Sequence, residues 1–183
     1  MTVATYKWTL DHYHQAVDAG VFDEQSIELL RGELVVMPPE GEPHVVYLMS
    51  AADYLRGRLG GQATIREAHP ITLADDSEPE PDIAVVVSPI GRYLAHHPYP
   101  EDVFWLVEFA DTTLTKDLGI KKELYAAAGI QEYWVVNLKV LDLRVFRDLT
   151  PSGYGTELVL TEGAIAPLTF PNVQIEVKRM FSL

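Results

Sequence analysis

The densest apolar stretch of the chain is VFWLVEF, residues 103–109, whose length and bulky side chains predict a buried strand. One carboxylate interrupts it. A period of two puts Phe104, Leu106, Glu108 and Ala110 on one face, so Glu108 is expected to emerge at a strand end, where water, a metal or a basic partner compensates its charge. Residues 117–128 then carry a helical pattern, with Leu118, Leu124 and Ala128 spaced for packing and Gly129 just past the C-terminus. On that helix Asp117, Lys121 and Tyr125 fall at i, i+4 and i+8, so one face presents a lysine with an acid one turn before it. Residues 133–138 return as a strand. Upstream, EPEPDIAVVV (78–87) has two prolines that impose an extended approach, after which Pro81-Asp82 enters a β-branched and alanine run, 83–87. Asp82 thus stands at the mouth of a predicted central strand.

The remaining pattern supplies the surroundings. Thr9 is placed to N-cap a short helix over 10–19 that Gly20 closes. Residues 27–31 and 33–37 read as two short strands turning at Gly32, where a positive φ costs little. A helix is predicted over 44–59, with Val45, Leu48, Met49, Ala52, Leu55 and Leu59 as its apolar stripe and Gly60-Gly61 as its stop. Residues 63–67 and 71–73 are strand material interrupted by Pro70, and the acidic segment 75–80 reads as a solvated loop. Residues 88–100 are punctuated by Pro and Gly, an irregular segment suited to a lid or a dimer contact. Strands follow at 141–147, antiparallel to 133–138, and at 154–160, with 166–177 closing the chain. Strands mixed with helices predict one α/β or α+β sheet domain spanning 1–183.

Composition sharpens this in three ways. A hydrophobic fraction of 48% with 22% charged residues is that of a globular chain. No apolar run approaches the roughly 20 residues of a membrane span, and the N-terminus lacks the features of a signal peptide, so a cytoplasmic protein without membrane partners is expected. The absence of cysteine leaves oxygen or imidazole as the metal ligands available. Against this, 14 basic and 27 acidic residues give a net charge of −13, which disfavours tight nonspecific DNA binding unless the basic residues cluster. Arg56, Arg58, Arg66, Lys116, Lys121, Lys122, Arg144 and Arg147 are the candidates for such a cluster.

If the strands bearing Asp82 and Glu108 are neighbours, the two carboxylates converge with Lys121 above them. Two acids on adjacent strands plus a lysine are the equipment of a hard-metal hydrolase. Taken singly, Asp82 reads as a turn acid and Lys121 as a solvated helix lysine paired with Asp117; only the constellation favours chemistry. Glu108 is less readily a structural salt-bridge partner, since an apolar run tolerates such a group poorly. The adjacent His96 and His97 point opposite ways on an extended backbone and make a poor metal pair.

Pro81-Asp82, Glu108 and a lysine resemble the PD-(D/E)XK nuclease superfamily, and the chain as a whole resembles its Uma-type restriction-endonuclease-like family. The likeness takes in ELLRGELVVMPP (28–39), His44, the EPDIAVV run, VEFADTTLTKDLGIKKELYAAAGIQEYWVVN and PLTFPNVQIEV. The superfamily usually carries its lysine two residues after the second acid, a position held here by Ala110. The family pattern substitutes a lysine four residues after an aspartate in the following helix, which is Lys121 after Asp117; Lys122 points about 100° away round the helix.

The resemblance implies a restriction-endonuclease-like mixed β-sheet flanked by helices and an endonuclease acting on nucleic acid, DNA in the first instance. Asp82 and Glu108 would hold Mg²⁺, with Mn²⁺ as a substitute, and Lys121 would orient water or stabilise the phosphorus. Glu33 lies where the family brings a further carboxylate near the metal, while its bland reading is a hairpin-edge glutamate; His44 starts its helix near the site. A homodimer is the convenient form for cutting two strands. Two rivals stand beside this: a non-catalytic descendant binding nucleic acid or protein, suggested by the missing strand lysine and the acidity, and a hydrolase of a small phosphodiester.

Overall fold

The structure, a computed structural model, describes residues 4–183. Its centre is a six-stranded mixed sheet flanked by helices. The strands are β3 (Ala63–Glu67), β4 (Ile83–Val87), β5 (Val103–Ala110), β6 (Tyr133–Asn137), β7 (Asp142–Thr150) and β8 (Gly153–Leu160), lying side by side in chain order. All neighbours are antiparallel except β5 and β6, which run parallel. That one parallel pair needs a crossover, and the helical stretch between Leu114 and Ala127 supplies it.

Helix α1 (Leu10–Asp18) starts as its sequence predicts, with the Thr9 hydroxyl accepting from the His12 N–H at 3.3 Å. The hairpin β1 (Ile27–Leu30) and β2 (Glu33–Val36) turns through Arg31 and Gly32, both at positive φ. Helix α2 (Glu42–Leu59) ends at Gly60 in the left-handed conformation. Leu48, Ala51, Ala52, Leu55 and Leu59 of α2 are buried against one face of the sheet, among Trp105, Val107, Phe109 and Trp134. Ile165, Ile175, Val177, Met180 and Phe181 from the C-terminal segment complete this face. The opposite face packs Leu106, Ala110, Tyr133, Val135 and Phe146 against Tyr125, Ile130 and Ile71.

The structure corrects several expectations. Met49 is exposed and Ala51 takes its place, because the contact face of α2 runs along small residues that let the helix approach the sheet. Residues 71–73 form no strand: the N–H groups of Ile71, Thr72 and Leu73 donate to Pro79, Pro98 and Ser77 carbonyls in loops. The acidic segment is not solvated throughout, since Ser77 and Glu78 are buried and Glu78 accepts from Thr72 Oγ1 at 2.7 Å. Phe104 leaves the face predicted for it. The pairing of β4 with β5 shifts between Val85 and Val86, so that Trp105 and Val103 face successive partners and Phe104 is the extra residue of a bulge. It packs with Trp105 and Phe170 on the α2 side of the sheet, while Leu106, Glu108 and Ala110 keep the other face. Several of the basic candidates are taken up by neighbouring groups. Arg56 pairs with Asp53 and Glu67, Arg144 with Asp142 and Glu157, and Arg147 with Glu132, while Lys122 sits over the Phe146 ring. Among the described residues no helix is long and apolar enough to cross a membrane.

The α2 correction has a direct check in denaturant titrations. Leu55→Ala is expected to cost about 2–5 kcal/mol of unfolding free energy, whereas Met49→Ala is expected to change it by no more than about 0.5 kcal/mol.

Candidate active site

Antiparallel pairing of β4 with β5 sets Ile83 opposite Val107, which brings Asp82, one residue before β4, alongside Glu108. The contact is direct. The Asp82 N–H points at Glu108 Oε2 (3.4 Å), and the Phe109 N–H donates to Asp82 Oδ2 at 2.6 Å. Glu108 thus meets the backbone of Asp82, and Asp82 is oriented by the backbone of Phe109, the residue after Glu108.

The crossover does not form the single helix its pattern predicts. A turn at α3 (Leu114–Lys116) runs into a wider π turn at Asp117–Lys121, where Gly119 leaves helical backbone angles (φ −103°, ψ −105°), and regular helix resumes as α4 (Lys122–Ala127). The Asp117 carbonyl is taken up by the Tyr133 hydroxyl at 3.1 Å. Past this kink, Lys121 enters the protein instead of lying on a solvated face. It is fully buried: its ammonium donates to Glu108 Oε1 (2.9 Å) and the Glu80 carbonyl (3.2 Å) and forms an ion pair with Glu28 Oε1 at 2.9 Å. Lys121 thus pairs with Glu28 and Glu108, and Asp117 accepts instead from Thr113 Oγ1 at 2.6 Å. Lys122 points elsewhere, as its position round the helix implies.

Glu108 is more enclosed than a strand-end position suggests. Lys121 and the Tyr125 hydroxyl, 2.8 Å from Oε1, compensate it. Burial pushes its carboxyl up to about 8, against the pull of Lys121 and with Asp82 adding to the rise. Burial also raises Asp117 and Glu80, the latter with help from Glu28. Glu28 goes the other way: burial acts to raise it, but Lys121 and Lys116 outweigh this and hold it below the usual carboxylate range. Lys121, desolvated yet surrounded by acids, is held well above the usual lysine value.

These groups open onto a cavity of about 260 Å³. Five carboxylates line it (Glu40, Glu80, Asp82, Glu108 and Asp117), against Lys116, Lys121 and His44. His44, in the first turn of α2, lies with Nε2 3.0 Å from Asp82 Oδ2; burial lowers its basicity, but Asp82 more than restores it and the net shift is upward. Glu33 is absent from the cavity. It is exposed at the turn end of the hairpin and pairs with Lys7 at 2.6 Å. The hairpin's contribution is Glu28, which the sequence reading passed over. A signal was there: Leu29 and Leu30 are consecutive apolar residues, the mark of a strand covered on both faces, and an acid in such a strand needs a buried base. Lys121 and Lys116 (3.2 Å) provide it. His96 and His97 lie apart from this cavity, His96 stacked on Tyr99.

A family model described as Uma2, "Putative restriction endonuclease", matches residues 10–178. Among solved structures, one described as a "putative nuclease belonging to DUF820", from Anabaena variabilis ATCC 29413, is similar at a TM-score of 0.74 and 17% sequence identity, covering 95% of this chain and 97% of that one. At that identity the likeness speaks for the fold. Comparison with curated proteins gives no match.

Removing Lys121 strands two buried acids. Lys121→Ala is expected to cost about 3–5 kcal/mol in urea unfolding, while Lys122→Ala costs less than about 1 kcal/mol. A loss comparable to that of Lys122→Ala would mean that Glu28 and Glu108 do not depend on Lys121 for their charge balance.

Proposed function

Because the chain belongs to the Uma2 family, described as "Putative restriction endonuclease", we propose that it is a metal-dependent nuclease whose reaction centre is the Asp82–Glu108 pair. The observation that carries this reading is the cavity wall: five carboxylates against two lysines and one histidine leave an excess of negative charge in a half-enclosed space, which a divalent cation neutralises. The donor set fits. It is oxygen-rich with one imidazole, and Asp82 Oδ1 makes no hydrogen bond among the described residues.

Asp82 and Glu108 would hold Mg²⁺, which when bound supplies charge neutralisation at a phosphate and acidifies a water. The protein's own groups do the positioning. Phe109 N–H fixes Asp82 Oδ2, Tyr125 fixes Glu108 Oε1, and Lys121 holds the same oxygen from behind. With its ammonium buried between Glu28, Glu108 and the Glu80 carbonyl, Lys121 acts on the reaction through its charge and through the orientation of Glu108. Lys116, whose side chain is 22% exposed at the cavity wall, is the cation better placed to meet an incoming phosphate.

The substrate we favour is a nucleic-acid strand whose phosphodiester enters this cavity, with DNA as the first choice. The mostly acid-paired basic residues favour a short or single-stranded contact over a long duplex platform, and they keep a small phosphodiester as a second reading. Oligonucleotide competition for the metal-loaded site separates the two, since a small-substrate enzyme is not inhibited.

Two outcomes test the proposal. Mg²⁺- or Mn²⁺-dependent cleavage of single-stranded DNA, duplex DNA or RNA is expected from the wild type and is expected to vanish in Glu108→Gln with the fold intact by circular dichroism; retained cleavage overturns the assignment. Mg²⁺ affinity measured by calorimetry is expected to rise with pH and to level off above about 8, because protons compete for Glu108 below that value. In Glu108→Gln the upper part of that rise should disappear.

A further inference from the structure

Asp82 has two neighbours able to share a cation, and they differ in what already occupies them. On the β5 side, Glu108 Oε1 receives Lys121 and Tyr125, and Oε2 faces the Asp82 N–H. On the α2 side, Glu40 and His44 bring one ligand atom each to within 4.8 Å of one another and of an Asp82 oxygen. His44 Nε2 is 3.0 Å from Asp82 Oδ2. That is the separation of two adjacent ligands on an ion bound at about 2.1 Å to each. His44 Nδ1 is buried without a hydrogen-bond partner among the described residues and lies 3.7 Å from Glu40 Oε2, so the ring is not locked by its second nitrogen. Glu40 is exposed and precedes the helix, which leaves it free to swing onto an ion.

The chemistry of this trio differs from that of the Asp82–Glu108 pair. One imidazole nitrogen with two carboxylates suits a borderline transition ion, whereas Mg²⁺ prefers an all-oxygen shell with several waters. Resting on the nuclease reading above, we propose that Glu40, His44 and Asp82 form a transition-metal position in the cavity, and that His44 makes the protein select Mn²⁺ over Mg²⁺. Asp82 is the residue common to this position and to the β5 side, which makes it the pivot of metal binding. Glu108, held by Lys121 and Tyr125, stays the carboxylate partner of Asp82 on the β5 side.

The test uses the metal-free full chain, calorimetry with Mn²⁺ and with Mg²⁺, and pulsed electron paramagnetic resonance of bound Mn²⁺ for coupling to a ligand nitrogen. The wild type is expected to bind Mn²⁺ at least about tenfold more tightly than Mg²⁺ and to show the nitrogen coupling. His44→Ala should lose both the preference and the coupling while keeping Mg²⁺ binding. Glu40→Gln, at an exposed position that tolerates change, should weaken Mn²⁺ but retain the coupling, and it keeps the test decisive if His44→Ala fails to fold. Equal affinities without nitrogen coupling in the wild type overturn this inference alone. Failure of either ion to bind overturns it together with the metal-dependent reading it rests on.

Discussion

A fully buried lysine held between two buried glutamates is the constraint on which the rest of the structure depends. Lys121 carries its charge into the interior only because Glu28, Glu108 and the Glu80 carbonyl surround its ammonium, and each of those groups comes from a different part of the chain. The hairpin, the approach to β4, the middle of β5 and the crossover are thereby tied at one ammonium group. Such a cluster is no bargain for stability, because desolvating three charges costs much of what their attraction returns. It does specify geometry. An apolar replacement would fill the same space without telling Glu108 which way to face.

The clamp sits beside an opening with the opposite character. Around the cavity, carboxylates outnumber cations, and burial raises Glu108, Glu80 and Asp117. On the reading proposed above, a cation from outside would balance these carboxylates. The antiparallel register of β4 and β5 makes this possible with short reach, since Asp82 and Glu108 are aligned by the same ladder that holds the sheet together. The wider π turn at Asp117–Lys121 does the rest by turning one lysine inward while Lys122 stays on the Phe146 ring.

The net charge of −13 and this cavity belong to one picture. Most basic side chains are paired with local acids, such as Arg56 with Asp53 and Glu67 and Arg147 with Glu132, which lowers the positive charge left for a phosphate backbone. A phosphodiester would meet favourable charge mainly at the cavity itself, from Lys116 and from whatever cation the acids hold. Under the proposed nuclease reading, recognition concentrated at the cavity would suit a small or locally single-stranded contact more than an extended duplex interface.

Much of this was legible in the residues. Period-two and helical patterns placed the six sheet strands and the three main helical stretches, because burial on one or both faces writes itself into spacing. The Pro-Asp before a β-branched run and a glutamate inside an apolar strand marked Asp82 and Glu108, since both are energetically awkward where they stand. What the pattern could not contain were relations between distant segments. Glu28 and Glu33 are both glutamates of one hairpin, and only packing decides that Glu28 turns inward to Lys121 while Glu33 meets Lys7 at the surface. The bulge that moves Phe104 across the sheet depends on the register with β4, and the kink at Gly119 on contacts with Tyr133 and the acids beneath it. His44 joins Asp82 because α2 lies across the strand ends, 38 residues away along the chain. Local chemistry determined which residues were unusual; the tertiary structure alone decided which of them meet, because electrostatic compensation of a buried charge is settled by whatever neighbour the fold brings within about 3 Å.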